Sequence, residues 1–195
     1  MYWTRLIIAA PVAILSVALC WSQNSEGNQV VLLKQVNFSG DLGIPVDDLR
    51  AYTEFLLGHR LQRKKLLEDA SSAVGNALRH RGYLKAQVTP QLRSLEASAG
   101  SKNGEVALQL IINAGKQYRV KELTFAGLSS QLSQRDLRQS CDMRSGEIAD
   151  AERASSCITN LISLFHHKGQ DVFVVPSMMY DDAASTVSFQ FDVQK

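Results

Sequence analysis

The apolar positions of this chain fall into one pattern that is written twice. Val36-Asn37-Phe38-Ser39-Gly40 is answered by Leu123-Thr124-Phe125-Ala126-Gly127 at an offset of 87 residues, which also carries His80-Arg81-Gly82 onto His167-Lys168-Gly169 and Val88 onto Val175. Self-similarity at a fixed spacing marks a structural unit used more than once. Later in each unit the alternating run Val106, Leu108, Leu110, Ile112 is answered by Val187, Phe189, Phe191, Val193, where the offset has fallen to 81. A six-residue difference in one loop is expected to account for the change.

Within each unit the periods predict the elements. A short apolar strand opens it, Val30 to Phe38 or Tyr118 to Phe125, and a glycine closes the strand. A first helix is expected from Pro45 to Leu57, with Asp47 and Asp48 in its first turn and Leu49, Tyr52, Phe55 and Leu56 as its apolar stripe. Its counterpart starts at an N-cap, Ser133, and looks shorter. The second helix has the clearest helical period in both units, with Leu67, Ala70, Val74, Ala77 and Leu78 set against Ala154, Cys157, Leu161, Leu164 and Phe165. Each ends in basic residues and a glycine, so His80, His166 and His167 find a structural explanation beside the carbonyl end of a helix dipole.

Beyond that glycine come a strand (Leu84 to Leu92, Val172 to Tyr180), a loop and the final alternating strand. The loop is long and polar in the first unit, Ser94 to Gly104, and short in the second, Asp181 to Ser185. The order strand, helix, helix, strand, strand predicts an α+β fold of two tandem β-α-α-β-β domains. Each is expected to be a three-stranded mixed sheet with two helices packed on one face. The boundaries read as 30–115 and 116–195, and only four residues separate Asn113 from Tyr118. So short a linker predicts a hinged pair and not two drifting beads.

Residues 1–22 stand apart from this pattern. Arg5 precedes an apolar run from Leu6 to Leu19, interrupted by Pro11 and followed by small and polar residues. This reads as a cleaved signal peptide; a retained membrane anchor is the alternative. Of 21 basic and 19 acidic residues in the whole chain, the segment removes one arginine, and so even a balance points to no particular charged partner; an exported chain is not expected to meet nucleic acid. The basic cluster Arg60, Arg63, Lys64 and Lys65 reads as a solvated helix start and face.

Two cysteines remain beyond the leader, Cys141 and Cys157, and an exported protein would let them oxidise. A simple helical hairpin would leave them roughly 10 Å apart along the axis, beyond the reach of a disulfide. The repeat aligns Cys157 with Ala70, so a small core residue is the competing reading.

Taken in order, Gly82-Tyr83-x-x-Ala86-x-Val88-x-Pro90, a final strand, and Gly115-x-x-Tyr118-x-Val120-x-x-Leu123-x-Phe125-x-Gly127 resemble the junction between tandem POTRA domains. These are the polypeptide-transport-associated modules of outer-membrane barrel-assembly and translocation proteins. The second copy departs from the pattern where Gln170-Asp171 stands in place of Tyr83-Leu84. No barrel is expected within these 195 residues. The resemblance implies a periplasmic, outer-membrane-associated location, with barrel proteins or unfolded client polypeptides as partners. A cell-division scaffold with POTRA-like domains behind an uncleaved N-terminal helix is the rival expectation. Membrane association would then run through a partner or through that helix.

Catalysis finds no footing in these residues. His166 and His167 are adjacent, which aims them about 100° apart on a helix and makes no same-face metal pair. Asp181-Asp182 reads as turn chemistry. No enzyme activity, cofactor, metal or small-molecule substrate is expected.

Binding at a sheet edge is the expectation instead, because an unpaired edge accepts an extended peptide through main-chain hydrogen bonds. The resemblance places the strand after the second helix at that edge. In the first unit Lys85, Gln87 and Thr89 form its polar face. In the second, the 87-residue offset aligns Phe173 and Val175 with the buried set and leaves Val172, Val174, Pro176 and Met178 outward. An apolar outward face calls for a cover, which is a partner, the first unit or a chain terminus.

Overall fold

The protein is described here by a computed structural model over residues 29–95, 104–127 and 132–195. The expected leader at 1–22 and residues 96–103 of the polar loop lie outside the described residues.

Two sheets follow one another along the chain. The first unit runs β1 (Val30–Asp41), α1 (Val46–Ala51), β2 (Arg60–Gln62), α2 (Arg63–His80), β3 (Gln87–Ser94) and β4 (Glu105–Asn113). The second runs β5 (Arg119–Gly127), α3 (Gln134–Ser140), α4 (Ala151–His166), β6 (Phe173–Asp181) and β7 (Thr186–Gln194). The sheet orders are β2-β1-β4-β3 and β5-β7-β6, so the alternating strand of each unit lies at the centre. It pairs parallel with the opening strand and antiparallel with the strand that follows the long helix. Both sheets are mixed, as expected, although the first has one strand more.

That extra strand comes from the basic cluster. Arg60 pairs with Leu32 and Gln62 with Val30 before α2 begins at Arg63. The first helix is also shorter than its apolar stripe predicts. It ends at Ala51, and Glu54–Leu56 form a single 3-10 turn. Thr53 lies between them, buried, with its hydroxyl donating back to the carbonyls of Leu49 and Arg50. Such back-bonding offers the chain an alternative to the continuing helix.

The repeat is preserved in fine detail. The register of β1 on β4 breaks between Leu33 and Gln35, and that of β5 on β7 breaks between Val120 and Glu122, which puts Lys34 and Lys121 at equivalent bulges. Ala70, Val74 and Leu78 of α2 are fully buried, and Cys157, Leu161 and Phe165 of α4 repeat them. The glycines of the repeated phrase sit where its strand passes the central one. A Cβ on Gly40 would strike the Ile112 carbonyl, and one on Gly127 the Val193 carbonyl.

Each unit has its own core. In the first, Leu33, Leu49, Leu66, Val74, Leu108 and Leu110 pack between sheet and helices; in the second, Tyr118, Leu137, Leu161, Phe165, Phe189 and Phe191 do so. Burial of one sheet face under a helix pair is what stabilises domains of this size.

Candidate functional site

Two kinds of surface carry the expected site residues: the junction between the units and the outer edges of the sheets. Lys85 belongs to the junction. The turn at 83–86 precedes β3, and its Leu84 side chain packs against the core of the second unit. Lys85 Nζ donates to Asp182 Oδ1 at 2.7 Å and lies 4.5 Å from the centre of the Tyr180 ring. Tyr118 donates its hydroxyl to the same oxygen at 2.6 Å, and Lys116 donates to the Asp182 carbonyl. Main-chain bonds reinforce the joint, with the Tyr118 N–H donating to the Gly82 carbonyl at 2.9 Å. Gln117 Nε2 donates to the Arg81 carbonyl at 2.7 Å.

Charges in this cluster respond to one another. Hydrogen bonds from Lys85 and then Tyr118 hold the Asp182 carboxyl below its usual range, and the bond to Asp182 holds the Lys85 amine above its own. Burial, then the bond to Asp182, raises the Tyr118 phenol. On the helix side of the joint, His80 Nδ1 lies 3.2 Å from Asp150 Oδ1 and 3.1 Å from Glu152 Oε2, at the N-terminus of α4. His80 therefore bridges the units as well as ending its helix. His167, by contrast, stays local, with Nδ1 2.7 Å from the Ser163 carbonyl.

The edges are β3 and β6, together with β2 and β5 on the opposite sides. Gln87 and Thr89 of β3 are exposed, and Val88, Pro90 and Leu92 turn toward the core. Lys85, the third residue of the expected polar face, precedes the strand and lies in the joint instead.

On β6 the expected faces are reversed. Val172 and Val174 are partly buried against the second core, whereas Phe173, Val175 and Met179 are 49%, 44% and 58% exposed. Met178 is on the core-facing side by register, opposite Phe189, yet remains 48% exposed at the rim of the edge. The reversal has a simple cause. Val88 pairs with Ile112 and Val174 with Val193, so Val174 and not Val175 is the equivalent of Val88. The turn after Gly169 is one residue shorter than the turn after Gly82, and a one-residue shift flips every side chain of a strand. The six-residue difference is thus one residue in this turn and five in the loop that follows. Pro90 opposite Leu110 and Pro176 opposite Phe191 become equivalent under the same shift, a signal already present in the sequence.

Cys141 and Cys157 are joined in a disulfide with Cα atoms 4.4 Å apart. The hairpin geometry that would separate them does not form. Cys141 leaves α3 in an extended conformation and is buried in the same core as Cys157, and the chain then returns along the start of β5 through an Arg119–Ile148 bridge. The bridged Cys157 still occupies the core position of Ala70. Among the described residues no group of three or more His, Cys, Asp or Glu could hold a metal ion, and no helix is long and apolar enough to cross a membrane.

Known proteins bear on this geometry. Residues 31–115 match the family model of the POTRA domain, described as a surface antigen variable number repeat. No curated protein matches the chain. Among solved structures, Haemophilus influenzae BamA POTRA3-5 is similar with a TM-score of 0.65 and 21% identity, over 85% of this chain and 61% of that one. BamA from Haemophilus ducreyi lacking POTRA domains 1-3 is similar with a TM-score of 0.62 and 19% identity, over 86% of this chain and 29% of that one. The chain spans less than two thirds of either structure. The first unit thus matches the POTRA family model, the second repeats its β-α-α-β-β order without β2, and the fold of the chain is similar to that of the BamA POTRA domains.

Proposed function

We propose that this protein is a non-catalytic scaffold of the bacterial periplasm that holds other envelope polypeptides by adding their strands to its sheet edges. Its clients would be outer-membrane barrel proteins or unfolded polypeptides in transit, and residues 1–22 would be the leader that exports it. The observation that carries this reading is the apolar stripe Phe173, Val175 and Met179 along β6, an edge strand of the second sheet. An edge offers main-chain donors and acceptors that tolerate many sequences, and an exposed apolar stripe beside it adds affinity without demanding a particular side chain. Pro176 limits the length of guest strand that can pair there.

The POTRA family match over 31–115 and the BamA likeness support the envelope setting. The two units are joined through Lys85, Tyr118 and Asp182, so a guest on β3 and a guest on β6 would be held in a set relation. A photoreactive side chain at Val175, irradiated in intact cells, should give adducts with outer-membrane or secreted polypeptides. The same group at Thr159, on the exposed face of α4, is the control. Equal labelling from both positions, or none from Val175, would sink the proposal.

A further inference from the structure

The opposite edge of the second sheet has different chemistry. Between β5 and α3 with its following segment runs a groove of about 1170 Å³. Leu123, Phe125 and Met143 line it with apolar surface, and Arg135, Arg138 and Arg144 stand exposed around it. Carboxylates near the groove are already engaged. Arg153 holds Asp142 at 3.3 Å and Glu147 at 3.1 Å, and Glu122 accepts from Ser188 Oγ at 3.2 Å. Among the described residues, no carboxylate pairs with the guanidinium groups of Arg135, Arg138 or Arg144.

The corresponding groove of the first unit is not built this way. It has about 460 Å³ beside β1 and α1, and its charges are balanced within it. Arg50 pairs with Asp47 at 3.0 Å, Lys34 with Glu105 at 3.5 Å, and Glu54 joins the lining. One architecture therefore presents a small balanced groove in one unit and a larger, positively charged groove in the other.

We propose that the β5–α3 groove is a second docking surface, separate from the β6 edge, which receives an extended peptide segment bearing carboxylate side chains. Its outer main-chain edge has the form such a guest needs. The start of β5 is covered, as the Gly146 N–H donates to the Val120 carbonyl and the Val120 N–H to the Glu147 carbonyl. From Glu122 to Gly127 no strand pairs with that side among the described residues. Six residues of strand span roughly 20 Å, long enough for three guest side chains on the α3 side. Planar guanidinium groups recognise carboxylates with paired, directional hydrogen bonds, and an apolar floor strengthens those bonds by excluding water.

A fluorescein-labelled decapeptide of alternating aspartate and leucine, titrated into the full mature chain by anisotropy, tests this. It should bind, weaken as salt is added, and lose affinity by about tenfold or more in the triple variant R135A/R138A/R144A. All three side chains are exposed, so the variant keeps the fold, which circular dichroism verifies. A peptide with lysine for aspartate should not bind. Val175→Lys, which disables the β6 stripe, should leave the acidic peptide bound. Undiminished binding by the triple variant, equal binding of the lysine peptide, or loss of binding in Val175→Lys would each overturn the groove assignment, and none would overturn the β6 reading. Capture of phosphatidylglycerol vesicles in preference to the peptide would overturn it too.

Discussion

The hydroxyl of Tyr118 donates to Asp182 Oδ1 at 2.6 Å, across the second unit from the start of β5 to the turn between β6 and β7. Lys85 of the first unit reaches the same oxygen, so one carboxylate ties three separate segments together. An isolated exposed ion pair is worth little. Here the buried Tyr118, held by its main-chain bond to Gly82, positions the acceptor through its hydroxyl.

The Lys85–Tyr118–Asp182 cluster of this joint should keep its charges across neutrality and loosen at both extremes. Asp182 is lowered from 3.8, so its contribution is complete above that value and fades as pH falls through the lower value of the folded state. Lys85 is raised from 10.5 and Tyr118 from 10.0, so their contributions are complete below those values and fade as pH climbs through the raised ones. In a His80→Gln background, protection of the Tyr118 amide from hydrogen exchange, corrected for intrinsic rate, should be flat between about pH 5 and about pH 9. Asp182→Asn should reduce it throughout and remove its acid limb.

Gly82 and Gly169 end equivalent helices but should respond differently to alanine. Both have positive φ, +86° and +75°. At Gly82 a Cβ would also lie 2.7 Å from Ile148 Cγ2 and 2.9 Å from the Tyr118 carbonyl, whereas at Gly169 it would meet nothing within 4 Å. Gly169→Ala should cost about 1 kcal/mol from backbone strain alone. Gly82→Ala should cost about 2–3 kcal/mol and expose the Tyr118 amide. Urea midpoints of the two variants provide the comparison.

Reduction should destabilise the second unit and leave the first nearly unchanged. The Cys141–Cys157 bridge closes a loop of 16-residue separation, and such a loop is worth about 3 kcal/mol through its effect on the unfolded chain. Intact mass after alkylation without reductant should show no modified cysteine at these positions. A Cys141→Ala/Cys157→Ala variant should unfold its second unit at lower urea, followed by exchange of amides in α4.

Neighbouring valines on β6 should separate stability from binding. Val174 packs on the second core, and Val174→Lys should lose about 2 kcal/mol or more. Val175 is outward, so Val175→Lys should change stability by less than about 0.5 kcal/mol. It should nevertheless abolish capture of clients at the stripe. Thermal melts and crosslinking yields, measured side by side, distinguish the two effects.

Much of the fold is legible in the sequence because the repeat samples the same physics twice. Alternation in Val106–Ile112 and Val187–Val193 identifies the central strands, and the 3.6-residue period of Ala70, Val74 and Leu78 identifies the long helix. Three features escape that reading. The faces of β6 depend on one residue in a turn, and periodicity reports alternation but not which phase is buried. The β2 strand has only three residues, too few to show a period. The disulfide depends on the path of the chain between α3 and α4, which straight-helix geometry misjudges.

The order of elements, the duplication and the identity of the core therefore belong to the sequence itself, since each follows from local periodicity and from which side chains water rejects. Only the tertiary structure decided that Lys85 is part of a joint and not a free edge. It alone turned Phe173, Val175 and Met179 outward and set three arginines, with no acidic partner among the described residues, around the β5–α3 groove. Those outcomes depend on where distant segments meet, and the contacts that decide them lie up to 97 residues apart in the chain.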